Sequence, residues 1–75
     1  MAEPIHIGHI IQEELKQQGR TVAWLAQHLN TSRMACYRLF QSYSIDTQIL
    51  FHISDLLGRD FFAEYSRNLT MYGKM

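Results

Sequence analysis

TVAWLAQHLNTSRMACYRLF, Thr21 to Phe40, reads as two short helices joined by a tight turn. Thr21 suits an N-cap, because its hydroxyl can accept a hydrogen bond from a backbone N–H of the first turn. Val22, Leu25, Ala26 and Leu29 then recur at helical spacing and make one apolar stripe. Asn30 accepts positive φ more readily than most residues, as a tight turn requires. A second helix follows Thr31 or Ser32 and runs to about Gln41. Placed at 100° steps from Arg33, its residues Ala35, Leu39, Cys36 and Phe40 fall between about 200° and 340°. Arg33, Tyr37, Gln41, Met34 and Arg38 fall between about 0° and 140°. One face is small or apolar, and the other carries two guanidiniums, an amide, a phenol and a thioether.

The flanking sequence extends the helical pattern. A first helix is expected from about Ile7 to Gln18, with Ile7, Ile10, Ile11 and Leu15 near helical spacing and Gly19 at a left-handed C-cap. Ser42-Tyr43-Ser44 reads as a loop. A fourth helix, capped by Asp46 or Ser44, is expected to reach Leu57, with Ile49, Leu50, Ile53, Leu56 and Leu57 facing inward and Gly58 ending it. Asp60 is placed to cap a fifth helix carrying Phe61, Phe62, Tyr65 and Leu69, and the residues from Met71 are expected to fray. Alternating strand-like runs, internal repeats and low-complexity tracts are absent. Short loops between five amphipathic segments predict an all-α fold, a compact five-helix bundle forming a single domain over residues 1–75 with its core at about 7–69. The chain has 75 residues, of which 47% are apolar, enough for one small core and too many for a disordered chain.

The formal net charge is zero, but the charges are segregated. Residues 1–14 carry Glu3, Glu13 and Glu14, a charge of −3. From Leu15 to Ile45 there is no acid, while Lys16, Arg20, Arg33 and Arg38 give +4. Residues 46–75 carry Asp46, Asp55, Asp60 and Glu64 against Arg59, Arg67 and Lys74, a charge of −1. Local potential, not the total, steers a charged partner, and a cationic middle segment calls for a polyanion.

The outer face of the third helix suits base edges. Arginine donates a bidentate pair to guanine, glutamine pairs with adenine, and methionine packs on a thymine methyl. The hydroxyls of Thr31 and Ser32, beside the free N–H groups at the helix start, suit a phosphate. Here the sequence resembles the helix-turn-helix of the phage-repressor or Cro-like class, the XRE family. Leu25-Ala26, the turn at Asn30, and Cys36 and Leu39 carry the resemblance, which extends over about Ile7 to Tyr65. Ala26 falls where the two helices of that motif cross closely. The resemblance implies a lambda-repressor-like DNA-binding domain with its helix-turn-helix at helices two and three. It also implies sequence-specific recognition of double-stranded DNA by a transcriptional regulator, helix three lying in the major groove. Carried over by position, Arg33, Met34 and Arg38 are the base-reading residues, with Tyr37 and Gln41 beside them. Ser42 and Tyr43 fall where the family touches the backbone. Lys16 and Arg20 flank the reading face as phosphate contacts. Two positions depart from the family pattern: Val22 replaces a backbone-contacting Gln, and Asn30 stands where Gly is common.

Phe61, Phe62, Tyr65, Met71 and Tyr72 are more large apolar groups than a short terminal helix can bury. A homodimer through Phe62, Tyr65, Leu69 and Tyr72 is therefore expected. The alternative function is a protein-interaction module, antitoxin-like or an adaptor, that keeps the bundle with weak DNA binding. The neutral total and Val22 favour that alternative. An enzyme is not expected, since there is no paired-carboxylate cluster, no Ser-His-Asp set and no Gly-rich phosphate loop. No cofactor, metal or small-molecule ligand is expected either. His6 and His9 lack further ligands nearby and read as an ordinary helix face. His28 reads as a neutral exposed histidine, His52 as lying beside the core face, and Trp24 as packing on a neighbouring helix. Cys36 is expected in the core. Asp55, Asp60 and Glu64 read as solvated or capping residues. A single cysteine, no membrane-spanning run and no signal-peptide pattern point to a cytoplasmic setting, and the family resemblance implies a bacterial, nucleoid-associated one.

Overall fold

The computed structural model describes residues 4–69. The described residues form five helices: α1 (Ile7–Gln17), α2 (Val22–His28), α3 (Arg33–Phe40), α4 (Thr47–Leu57) and α5 (Ala63–Ser66). No strand occurs among the described residues. The fold is therefore all-α.

Local chemistry sets the boundaries. The Thr21 hydroxyl accepts from the Trp24 N–H at 3.0 Å, and Ser32 from the Ala35 N–H at 3.1 Å. Asp46 Oδ1 accepts from the N–H groups of Gln48 and Ile49 at 2.9 and 3.3 Å. Each cap satisfies donors that a helix start leaves unpaired. At the other ends Gly19 and Gly58 take φ of 71° and 65°. Asn30, at φ 55°, is the one non-glycine residue in that region among those described, so the tight turn forms as its chemistry suggests.

The core is wholly apolar. Ile7, Ile11 and Leu15 of α1 meet Leu25 and Ala26 of α2, Cys36 and Phe40 of α3, Leu50, Ile53 and Leu57 of α4, and Phe61. Trp24 is partly buried against this cluster, as its position on α2 suggests. Helix α3 packs on both α2 and α1. The contact with α1 is unusually close: a Cβ on Gly8 would lie 2.5 Å from the Phe40 carbonyl oxygen and closer still to that of Leu39. The Gly8 N–H also donates to the Ser42 carbonyl at 3.0 Å. Backbone therefore rests on backbone where α1 crosses the end of α3, and only glycine permits it.

Three expectations need correction. Ile49 does not face inward: it is 44% exposed and lines an open groove of about 520 Å³ between α3 and α4 with Leu29, Ala35 and Leu39. It sits at the border of α4's apolar arc, and the small Ala35 opposite leaves that border uncovered. The fifth helix is a single turn. Ala63, Glu64 and Tyr65 donate to carbonyls three residues back, so the chain from Asp60 is wound tightly before α5 begins. Phe61 precedes the helix and is fully buried, its N–H donating to the Ser54 hydroxyl at 3.3 Å. Asp60 accepts from the Phe62 N–H at 3.0 Å, so it caps this lead-in turn, while α5 itself has no side-chain cap. Finally, Glu64 is not a solvated residue. It accepts from Arg59 and Arg67, both at 2.6 Å, with its side chain 13% exposed. The expected fraying from Met71 lies outside the described residues. No helix among those described is long and apolar enough to cross a membrane.

Candidate nucleic-acid interface

The face of α3 follows from its anchoring. Cys36 and Phe40 are buried, and Ala35 and Leu39 are half-buried. Fixing those four turns Arg33, Met34, Tyr37 and Arg38 outward, and Gln41 at the C-cap with them. All five are exposed, Met34 to 60% and Tyr37 to 50%. An exposed thioether and phenol between two guanidiniums make a surface that hydrogen-bonds and also offers apolar contact. The Tyr37 ring meets the buried Phe40 ring edge-on at 6.3 Å, which braces it.

The turn before α3 is closed by backbone hydrogen bonds. Thr31 N–H donates to the Ala26 carbonyl at 2.9 Å and Asn30 N–H to Gln27 at 3.2 Å. Thr31 and Ser32 are exposed at the start of α3. The Ser32 oxygen caps the helix and its proton remains available to an acceptor. After α3 the picture differs. The Ser42 hydroxyl donates to the Arg38 carbonyl at 3.0 Å, and its own carbonyl holds Gly8. Ser42 is thus committed to the fold. Tyr43 is 60% exposed, with its ring 4.0 Å from that of His6.

The four cations of the acid-free window divide on inspection. Lys16 Nζ lies 4.0 Å from Glu13, one turn back on α1. Arg20 lays its guanidinium 4.1 Å over the Trp24 ring while its Nε donates to Gln18 Oε1 at 3.1 Å. That stacking fixes the plane of the guanidinium and leaves its terminal N–H groups exposed. Arg33 and Arg38 make no ion pair among the described residues. Among the described residues, the two cations of this window without a side-chain partner are the two on the outer face of α3.

Around Arg59 the charges are satisfied internally. Arg59 donates to Glu14 at 2.7 Å and to Glu64 at 2.6 Å, tying α1 to α5. Glu14 is held below the usual carboxylate range by hydrogen bonds from Gln18 and Arg59. Burial alone would raise Glu64, but the hydrogen bonds from Arg59 and Arg67 outweigh it and leave that carboxyl low as well. Burial pushes the Cys36 thiol up, which suits a core side chain and not a nucleophile. His28 donates from Nδ1 to the Trp24 carbonyl at 2.9 Å, within its own helix, and stacks near the indole. His52 is exposed at the rim of the α3–α4 groove, not beside the core.

Sequence reasoning missed Gly8, the Arg59 bridge, the Arg20–Trp24 stack and the His6–His9–Tyr43 cluster. For Gly8 there was a signal, since a glycine within an apolar helical run often marks a close approach. No family model, curated protein or solved structure matches the chain.

Proposed function

We propose that this chain is a sequence-specific double-stranded DNA-binding protein of the helix-turn-helix, phage-repressor-like class, a transcriptional regulator in which α3 enters the major groove. One observation carries the reading: Arg33 and Arg38, without an ion pair among the described residues, stand with Met34, Tyr37 and Gln41 on the solvent face of a helix whose other face is locked in the core. Such a helix is pre-organised, so little ordering opposes its docking. Base reading falls to Arg33, Met34, Tyr37, Arg38 and Gln41, and phosphate contact to Thr31, Ser32, Tyr43 and Arg20. The bound form is a homodimer whose half-sites lie about 34 Å apart, one helical turn. Phe62, Tyr65 and Leu69 supply its interface, with Tyr65 and Leu69 exposed and Phe62 partly buried against the core. Tyr72, the fourth residue of that patch, lies outside the described residues.

The test is selection of duplex DNA from a random pool, followed by anisotropy titration of the enriched sequence at several salt concentrations. The expected outcome is an enriched half-site pair and an affinity falling with salt, by about 0.9 log units per log unit of salt for each phosphate contact. A pool that stays random sinks the reading. A second reading, a protein-interaction module, is favoured by the α3–α4 groove and by Phe51, which is 68% exposed on α4. It predicts no enriched DNA and a stable complex with a protein partner that Ile49→Asp disrupts.

A further inference from the structure

We infer that the duplex this chain prefers carries guanines on opposite strands with one or two A·T pairs between them, one guanine taken by Arg33 and the other by Arg38; this rests on the DNA-binding reading above. The layout of the exposed face of α3 carries the inference. Cys36 and Phe40 are buried, which fixes how the helix is turned. With Arg33 at zero and steps of about 100°, Tyr37 stands at about 40°, Gln41 at about 80°, Met34 at about 100° and Arg38 at about 140°. Gln41 and Met34 therefore hold the centre of the face. The two arginines hold its opposite edges, each about 70° from the midline.

A helix about 10–12 Å across fills a major groove about 12 Å wide. Its midline then faces the middle of the base pairs, and each edge faces one strand. A base presents its major-groove atoms on the side of its own strand, so Arg33 and Arg38 meet bases of different strands. They are five residues apart, an axial rise of about 7.5 Å, or about two base steps of 3.4 Å. Neither guanidinium has an ion pair among the described residues, so both forks are open to acceptors. Guanine offers such a fork two acceptors side by side, N7 and O6.

The centre of the face has different chemistry. The Gln41 amide offers one acceptor and one donor, the match for adenine N6 and N7. Met34, 60% exposed, offers an apolar end, the match for a thymine methyl. Tyr37, its ring braced edge-on by Phe40, adds apolar surface on the Arg33 side of the midline. A central G·C pair would turn the cytosine N4 amine, a donor, towards this face, and no carboxylate stands between Leu15 and Ile45 to accept it. The edges thus suit guanine and the centre suits A·T.

The experiment selects duplexes from a random pool with the full chain. It then titrates the enriched duplex and its single-pair variants by anisotropy against wild type, Arg33→Gln and Arg38→Gln. Wild type is expected to weaken about five- to 150-fold when either guanine pair is replaced. Arg33→Gln should lose the preference at one guanine and keep it at the guanine on the opposite strand, and Arg38→Gln should do the reverse. A base contact relaxes specificity at its own position, whereas a phosphate contact weakens every sequence alike. Deoxyuridine in place of the central thymine removes one methyl and is expected to weaken wild type about fourfold, and Met34→Ala hardly at all. All three substituted residues are exposed, and thermal melts confirm that the variants fold. Arginine variants that weaken all duplexes equally or relax the same guanine overturn the inference and leave the DNA reading standing. So do an enriched sequence with a G·C centre or without guanines on opposite strands, and a wild type indifferent to deoxyuridine. A pool that stays random overturns both.

Discussion

Arg33 and Arg38 stand on the solvent side of α3 with no carboxylate beside them among the described residues, whereas Arg59 spans Glu14 and Glu64 at 2.7 and 2.6 Å. The same side chain thus serves two ends. In the first region the sequence carries no acid from Leu15 to Ile45. In the second, two acids 50 residues apart in the chain, one on α1 and one on α5, converge on one guanidinium. An unpaired cation on an anchored helix is available to a partner. A cation held between two carboxylates is already used by the fold.

Replacing both outer arginines should produce the largest effect and confine it to binding. Arg33→Ala with Arg38→Ala is expected to cost about 2–6 kcal/mol of affinity for a selected duplex, taking about 1–3 kcal/mol for each bidentate contact. The melting temperature should stay within about 2–4 °C of wild type, because exposed side chains away from packing contribute little stability. Anisotropy titration and calorimetry on the same samples separate the two. A large fall in melting temperature would show that these arginines serve the fold as Arg59 does, and the contrast would collapse.

Gly8→Ala tests the scaffold behind the α3 face. Its Cβ would press on the Leu39 and Phe40 carbonyls, which are backbone and cannot rotate away. The expected loss is about 1–3 kcal/mol, towards the upper end, by overpacking. Guanidinium melts followed by circular dichroism measure it. An unchanged midpoint would mean that α1 does not press on α3 as described, and that the orientation of the outer face has some other support.

Arg59→Ala should act on stability alone. It leaves Glu14 with Gln18 and Glu64 with Arg67, so a cost of about 1–2 kcal/mol is expected after allowing for partial exposure. The pH dependence gives the sharper test. Both carboxyls are lower in the folded chain than in the unfolded one. Their contribution is therefore complete above the unfolded value of about 4.3 and is lost as pH falls through the lower folded values. Melting temperatures of wild type and Arg59→Ala should differ at pH 6–7 and converge below about pH 4. A constant gap would place the effect of Arg59 in its packing over Phe61, 5.2 Å away, instead of in its charges.

These two regions were not equally legible in the sequence. The α3 face could be read because it follows from local periodicity: one helix, one angular partition, and a cap at Ser32 that fixes where counting starts. The caps at Thr21 and Asp46 and the positive φ of Asn30 are local in the same sense. The Arg59 bridge spans 45 residues to Glu14, and nothing in the pattern around either residue encodes the other. Glu64 looked solvated because Arg59 reaches it across the turn that leads into α5, whereas Arg67, at i+3, is a neighbour by local spacing. Ile49 was misplaced for a related reason. Its position on α4 is apolar enough for the core, but whether a border residue is covered depends on the size of what faces it, and Ala35 is small. The short α5 reflects the same competition, with burial of Phe61 overriding the longer helix that the apolar spacing suggests.

Lys16 supplies the smallest effect and the finest distinction. It belongs to the acid-free window by sequence, yet its ammonium lies 4.0 Å from Glu13, outside that window, with both side chains about two-thirds exposed. An exposed pair of this kind contributes about 0.2–1 kcal/mol and is screened by salt. Alanine is the best helix former and recovers part of that loss. Lys16→Ala should therefore change stability by less than about 0.5 kcal/mol and leave both duplex affinity and its salt slope nearly unchanged. If instead it weakened binding as much as Arg38→Ala, the window would be acting as a diffuse cationic surface in which position is immaterial. Equality of the two variants would count against the α3 face as a reading surface even if DNA binding itself were found, because a diffuse surface predicts loss in proportion to charge, while a reading helix predicts loss according to which face the charge is on.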